Sequence, residues 1–254
     1  MALPDKQTIR LRFAGAAATY DRQALVQQEV ANRLLRLLAS HPAPPPRRVL
    51  EIGCCTGILT AGLIRRFPGI SALYVNDLVP EFAPLVAARV PAGTPLHFLA
   101  GDIETIDLPE RLDLVVSSST LHWLTDLPAL LDRLHERLNQ QGILCFSIYG
   151  TDNLRELREI TGIGLDYHSL SELRQMVAAR FTLLSCEEEL LPLHLPDPLA
   201  LLHHLRQTGV NALRKETWTR ARLDEFSRKY MERFRSAHGV SLTYHPIYCL
   251  ARKE

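Results

Sequence analysis

The chain of 254 residues carries 29 Lys and Arg against 28 Asp and Glu, a formal net charge of +1, with 46% apolar and 22% charged residues. This balance belongs to a folded globular protein and excludes a chain built for bulk polyanion binding, so nucleic acid is not an expected partner. No run of 18 apolar residues occurs, so no membrane partner is expected, and the charged start MALPDKQTIRLRF lacks the apolar stretch of a secretory leader. Five cysteines (Cys54, Cys55, Cys145, Cys186 and Cys249) form no C-x-x-C pair and leave an odd count, which suits a reducing cytoplasm better than a disulfide framework or a zinc site.

Residues 1–40 read as helical, with Val26, Val30, Leu34, Leu37 and Leu38 near helical spacing and Arg22, Arg33 and Arg36 left for solvent. The stretch Pro42-Ala43-Pro44-Pro45-Pro46 stops the helix and forms a stiff connector. Short apolar runs then alternate with helical segments: Val49–Ile52, Ala72–Val75, Leu96–Leu99, Leu112–Val116 and Ile143–Tyr149, with helices expected over Pro80–Arg89 and Leu127–Leu138. That alternation predicts an α/β fold with a largely parallel sheet. Two more strands are expected at Phe181–Leu191 and Leu242–Ala251. Between them Leu199, Leu202, Leu205, Leu223, Phe226, Tyr230 and Phe234 mark a helical insertion over one end of the sheet.

The segment Val49-Leu50-Glu51-Ile52-Gly53-Cys54-Cys55-Thr56-Gly57 runs a buried strand into a glycine turn and then a helix, Ile58–Arg66. Such a turn lets a ligand approach the backbone beside a helix N-terminus; a purely structural corner is the alternative. The G-x-G-x-x-G triplet of dinucleotide sites and the Gly-Lys-Ser/Thr of a Walker loop are both absent. Asp77 follows the second strand, where an acidic side chain can accept from ribose hydroxyls or merely cap a turn. Asp102, after the third strand, offers a carboxylate to an adenine amino group.

These residues, with Asp113-Leu114-Val115-Val116-Ser117, resemble the motifs of class I S-adenosylmethionine-dependent methyltransferases over residues 47–150. The flanks Phe13–Asp21 with Gln27, Leu121-His122-Trp123, Leu154–Leu157, Leu205–Val210 and Leu242–His245 resemble the BioC family, the malonyl-acyl-carrier-protein O-methyltransferases of biotin synthesis. The resemblance implies a Rossmann-like, mainly parallel seven-stranded sheet with helices on both faces and a helical lid. Residues 1–46 would be lid and linker, 47–191 the cofactor-binding core, 192–240 the lid insertion and 241–254 the final core strand. It implies S-adenosylmethionine as cofactor and S-adenosylhomocysteine as product, held by Glu51, Gly53, Cys54, Cys55, Gly57, Asp77, Leu78, Asp102, Ile103 and Ser117. Cys55 replaces the family's usual middle glycine, so its side chain must point away or narrow the pocket; Ser118 and His122 stand where Asn and Gln are common.

The implied reaction moves a sulfonium methyl onto the free carboxylate of a malonyl thioester. A carboxylate is already ionised near neutral pH, so positioning rather than a general base is expected to drive it. Tyr20 is the candidate for orienting an acceptor oxygen, with packing as the alternative. Arg206 is the candidate cation, and Tyr149 and His122 the further substrate-binding candidates. His203-His204 is not read as a metal site, because adjacent helical residues diverge by about 100°. A monomer is expected, with an acidic carrier protein as its partner. Residues 1–40 carry 6 basic and 3 acidic side chains, residues 41–200 carry 12 and 20, and residues 201–254 carry 11 and 5. The near-neutral total therefore conceals basic ends on the lid segments. The alternatives are a methyltransferase of a free small acid such as an aconitate-like one, and a binding module that has lost its cofactor through Cys55.

Overall fold

The computed structural model describes residues 5–41, 44–210 and 219–254. Residues 1–4, Pro42 and Ala43 of the proline connector, and 211–218 of the expected insertion lie outside the described residues.

Side-chain alternation along the strands sets the layers. In β1 (Arg48–Ile52) Val49 faces one apolar cluster while Leu50 and Ile52 face another, so the strand is covered on both sides. The same holds for β2 (Ala72–Asp77), β4 (Leu112–Ser117), β5 (Leu138–Tyr149) and β10 (Pro246–Arg252). With β3 (Leu96–Ala100) and β6 (Thr182–Glu188) they form a seven-stranded sheet in the order β3-β2-β1-β4-β5-β10-β6. The first five strands pair in parallel, and β10 alone runs antiparallel to both neighbours. The expected mainly parallel sheet of seven strands is what the chain forms.

The helix α3 (Leu25–Ser40) buries Val26, Val30, Leu34 and Leu37 on one face of the sheet, beside α4 (Ile58–Arg66). These apolar positions recur at helical spacing, and each buried Leu stabilises the packing by about 1.5–3 kcal/mol. On the other face lie α6 (Leu127–Arg137) and α8 (Leu170–Ala178), the latter started by a capping box of Ser169 and Glu172. A short 3-10 turn at Pro80–Phe82 leads into α5 (Ala83–Ala87), so the expected Pro80–Arg89 helix is shorter and divided.

Two strand expectations are corrected. Phe181–Leu191 is not one strand: β6 ends at Glu188, and β7 (Leu191–Leu195) belongs to a separate three-stranded sheet, order β7-β9-β8. Leu242–Ala251 likewise divides into β9 (Gly239–Tyr244) in the small sheet and β10 in the large one; β8 is Arg235–Ser236. The reason lies at the joint. His245 is buried, its Nδ1 accepting from the Asp152 N–H (3.0 Å) and its Nε2 lying 3.1 Å from Glu188, which fixes a bend. Pro246 then opens β10 without an N–H to extend the earlier ladder. A ribbon thus leaves the large sheet and bends into the small one, carrying α9 (Pro198–Gln207) and α10 (Arg220–Phe234) between its strands.

The helices α1 (Lys6–Ala16) and α2 (Tyr20–Gln23) lie at the carboxyl ends of the parallel strands, beside α9. Thr19 Oγ1 donates to the Gln207 carbonyl at 3.0 Å, joining the two helical segments. The helix α7 (Arg155–Thr161) packs against β9 and α10. No helix among the described residues is long and apolar enough to cross a membrane.

Candidate functional site

Strand order reverses between β1 and β4, and a crevice opens at such a switch point. Here it is a cleft open to solvent, with about 680 Å³ free of protein atoms. Its floor is the loop after β1. The Gly53 and Cys54 amides both donate to the Asn76 carbonyl (2.8 and 2.9 Å), folding the loop back onto the end of β2. Gly53 has φ 72°, and a Cβ there would fall 2.0 Å from Thr120 Oγ1, so only glycine fits. Gly57, at φ 88°, begins α4 and closes the turn through its amide to the Cys54 carbonyl (2.8 Å).

Cys55 takes a left-handed conformation (φ 48°) without being glycine. Its amide donates to Asp77 Oδ2 at 2.8 Å. Its side chain does not point away: Cys55 lines the cleft with its thiol against the Tyr20 hydroxyl, and burial pushes that thiol up. The narrowed-pocket alternative is the one realised.

Asp77 also accepts from the Val79 amide (2.9 Å), and burial lifts its carboxyl to about 6, so it is ionised at neutral pH. Asn76 ties the ends of β2 and β3 by donating to the Leu99 and Gly101 carbonyls (2.8 and 2.9 Å). Asp102, just beyond β3, accepts from the Glu104 amide at 3.1 Å. Lys6 of α1 reaches down to Asp102 (3.3 Å) and Glu104 (2.6 Å), so the N-terminal helix is pinned over the cleft. Asp21 of α2 adds a second attachment, to Thr56 Oγ1 at 2.6 Å and to Arg89.

Of the residues expected to meet ligand, Tyr20, Gly53, Cys55, Asp77, Leu78, Asp102 and Ile103 line the cleft together. Glu51, Cys54, Gly57 and Ser117 stand outside its lining. Glu51 is buried, with Oε2 unpartnered, and burial raises its carboxyl to about 8. Cys54 is buried and burial pushes its thiol up. Ser117 turns into the seam between β4 and β1, donating to the Ile52 carbonyl at 3.0 Å. Tyr149 and His122 also lie outside the lining; their rings meet at 4.9 Å. Arg206 is not brought to the cleft: it is exposed on α9, whereas His204 on the same helix turns inward, its Nε2 2.9 Å from Tyr244 Oη.

Sequence reasoning missed Lys6, Ile9, Phe13, Asn76, Ser119 and Thr120, all of which line the cleft. Lys6, Ile9 and Phe13 share one helical face at spacings of three and four, a signal present in the sequence. Phe13 meets Trp123 edge-on (6.0 Å), closing the roof with apolar surface.

The donor set suits a nucleoside-bearing cation. Asp77 and Asp102 offer carboxylates at the ends of β2 and β3, Leu78 and Ile103 offer apolar flanks, and the Gly53 cradle admits a group where a Cβ would intrude. S-adenosylmethionine fits that set: hydroxyls and an amino group for the carboxylates, a flat purine for the apolar sides, and a sulfonium in a cleft whose one lysine is already neutralised.

Comparison with known proteins agrees with the geometry. A family model described as "Methyltransferase domain" matches residues 50–146. A protein of Bacteroides thetaiotaomicron named malonyl-acyl-carrier-protein O-methyltransferase is 40% identical over 98% of this chain and 99% of its own length. One of Acinetobacter baylyi with the same name is 37% identical over 98% and 97%. Among solved structures, the YcgJ protein of Bacillus subtilis is similar at a TM-score of 0.60 and 16% identity, over 88% of this chain and 99% of that one. The N-methyltransferase NodS of Bradyrhizobium japonicum, solved with S-adenosylhomocysteine, is similar at a TM-score of 0.53 and 17% identity, over 89% and 86%. The structural likenesses establish the fold, and the near full-length sequence matches establish the family: this chain belongs to the malonyl-acyl-carrier-protein O-methyltransferases.

Proposed function

We propose that this chain transfers the methyl group of S-adenosylmethionine to the free carboxylate of a malonyl-acyl-carrier-protein thioester, forming the malonyl methyl ester that starts biotin synthesis. The observation that carries this reading is a roofed cleft with two carboxylates at a strand switch point, in a chain collinear over 98% of its length with a relative of that name.

Asp77 would accept from the ribose hydroxyls, Asp102 from the adenine amino group, and Leu78 and Ile103 would flank the purine. Gly53 would let the backbone approach the ligand and Cys55 would set its thiol at the pocket wall, while Glu51, Cys54, Gly57 and Ser117 brace that loop from behind. When bound, the cofactor supplies an electrophilic methyl on a positively charged sulfur. The protein's share is to exclude water and to hold the acceptor oxygen in line, an arrangement worth roughly 7–11 kcal/mol in favourable cases. Ile9, Phe13 and Trp123 provide the dry roof. Tyr20 is buried, and burial holds its phenol well above the ordinary value, so it remains a neutral donor able to orient one carboxylate oxygen. No general base is required, because the acceptor is ionised already.

The N-terminal helices and the segment carrying α9 serve as the lid. Arg22 and Arg206, exposed on α2 and α9, meet the acidic carrier protein rather than the acyl group. The enzyme works as a monomer in a reducing cytoplasm. Transfer of label from methyl-labelled cofactor tests the reading. Label should reach carrier protein bearing malonyl and not carrier bearing acetyl; transfer to a free small acid but not to malonyl-carrier would replace it.

A further inference from the structure

Behind Ser119 the cleft wall contains polar atoms that the fold leaves without partners. Ser119 Oγ, His122 Nδ1 and Tyr149 Oη are all buried, and none has a hydrogen-bond partner outside this set. They belong together. Tyr149 Oη stands against Ser119, and the Tyr149 ring packs edge-on against His122 at 4.9 Å. Ser119 itself lines the cleft, held in a left-handed conformation (φ 54°) with its amide donating to Ser147 Oγ at 3.0 Å. Tyr20, which also lines the cleft, lies near Tyr149. Native proteins leave few buried polar atoms unpaired, and three gathered where Ser119 lines the cleft and His122 and Tyr149 stand behind it mark a place for a polar group of the ligand.

The chemistry of the set is unusual for an anion site because the set itself contains no cation. Lys6 is the one cationic side chain among the described lining residues, and it is held by Asp102 and Glu104. The Arg158 guanidinium lies over the Tyr167 ring (5.4 Å) and donates to the Thr151 carbonyl, with its Nε buried and unpartnered. Burial takes His122 down to about 3, so its ring is neutral at any working pH.

We propose that Ser119, His122 and Tyr149 form the receptor for the acceptor carboxylate, holding it through uncharged donors alone. The proposal rests on the methyl-transfer reading given above and goes beyond it by naming how a carboxylate is selected. Ser119 and Tyr149 donate through hydroxyls, and His122 donates in the tautomer with its proton on Nδ1. Neutral donors orient an anion and favour it over an uncharged acyl group, yet they leave its negative charge uncancelled. A guanidinium paired with the same oxygens would lower their nucleophilicity toward the methyl group. Selection and reactivity are thereby obtained from one set of groups, with Tyr20 completing the shell.

Ser119→Ala, Tyr149→Phe and the double variant test this in the full-length enzyme. Each single change removes one hydroxyl and should raise KM for malonyl-carrier protein by about tenfold or more, the range for a hydrogen bond to a charged group. Affinity for S-adenosylhomocysteine should stay within about twofold, and the melting temperature should change little, because each variant deletes one hydroxyl from a set that has no partners outside itself. Wild-type enzyme should bind malonyl-carrier more tightly than acetyl-carrier, and the double variant should lose most of that preference. A merely structural role would not move this ratio. An unchanged preference, or activity lost together with homocysteine-product binding, would overturn the proposal. If wild-type enzyme methylates a different acid and not malonyl-carrier, the functional reading fails on its own. The same variants then decide the receptor by their KM for that acid.

Discussion

Cys55 occupies a left-handed backbone position at the floor of the cleft, where a side chain costs roughly 1–2 kcal/mol that glycine would not. Glycine adds flexibility to the unfolded chain, which offsets part of the gain. Cys55→Gly is therefore expected to stabilise the protein by about 0.5–1 kcal/mol and to tighten S-adenosylhomocysteine, both measurable by thermal unfolding and calorimetry; weaker binding would show that the thiol is a positive contact. Glu51 gives a pH signature. Unfolded, it loses its proton near its ordinary value of 4.5, and folded only near 8, so the folded state holds more protons between those values. Stability then falls as pH rises through that window, by on the order of 2–4 kcal/mol from this group. Urea unfolding across the range should show that slope in the wild type and lose it in Glu51→Gln. At this scale the sequence disclosed the residues whose type declares a purpose: Gly53 in its turn, Asp77 and Asp102 at strand ends. It did not disclose Ser119, because a serine among serines acquires meaning only when its hydroxyl is buried without a partner. Nor did it separate Arg206 from the cleft, since helical phase within an insertion does not say which way the helix faces.

Among the elements, α1 and α2 act as a pair held by polar contacts: Lys6 to the loop after β3, Asp21 to the loop after β1, Arg10 to Glu81 and Thr19 to the Gln207 carbonyl. Their apolar contacts are few: Ile9 and Phe13 join the small cluster of Trp123 and Leu78 rather than the main core, and Tyr20 packs against Phe13. Such segments open at lower free energy than core helices. Asp21→Ala removes the attachment to Thr56 and Arg89. Amide exchange in residues 6–23 should then rise by at least about fivefold, with the β1–β5 amides unchanged, and affinity for S-adenosylhomocysteine should fall severalfold. Uniform loosening of the sheet would mean that the helices are part of the core fold instead. The parallel strands were legible because burial on both faces makes them continuous apolar runs. The bends in the ribbon were not. A strand that changes sheets keeps its apolar residues, and the joint is fixed by His245 meeting Asp152 and Glu188, contacts distant in sequence.

For the whole molecule, a near-neutral total charge of +1 conceals an acidic middle and basic ends, and the fold sets α1 and α2 against α9, where Arg22 and Arg206 are exposed. The sheet provides the rigid floor, the N-terminal helices the roof, and the loop after β4 the wall that carries Ser118, Ser119 and Thr120. Parallel-sheet topology and the cofactor loop were readable from the chain; the placement of the roof was not, because it depends on ion pairs between segments some 96 residues apart. The chemical identity of the product examines the account most directly. Malonyl-carrier protein incubated with enzyme and methyl-labelled S-adenosylmethionine should carry label that mild base releases as methanol, the mark of a carboxyl methyl ester. Label that resists base, or label absent from malonyl-carrier while present on acetyl-carrier, would contradict it.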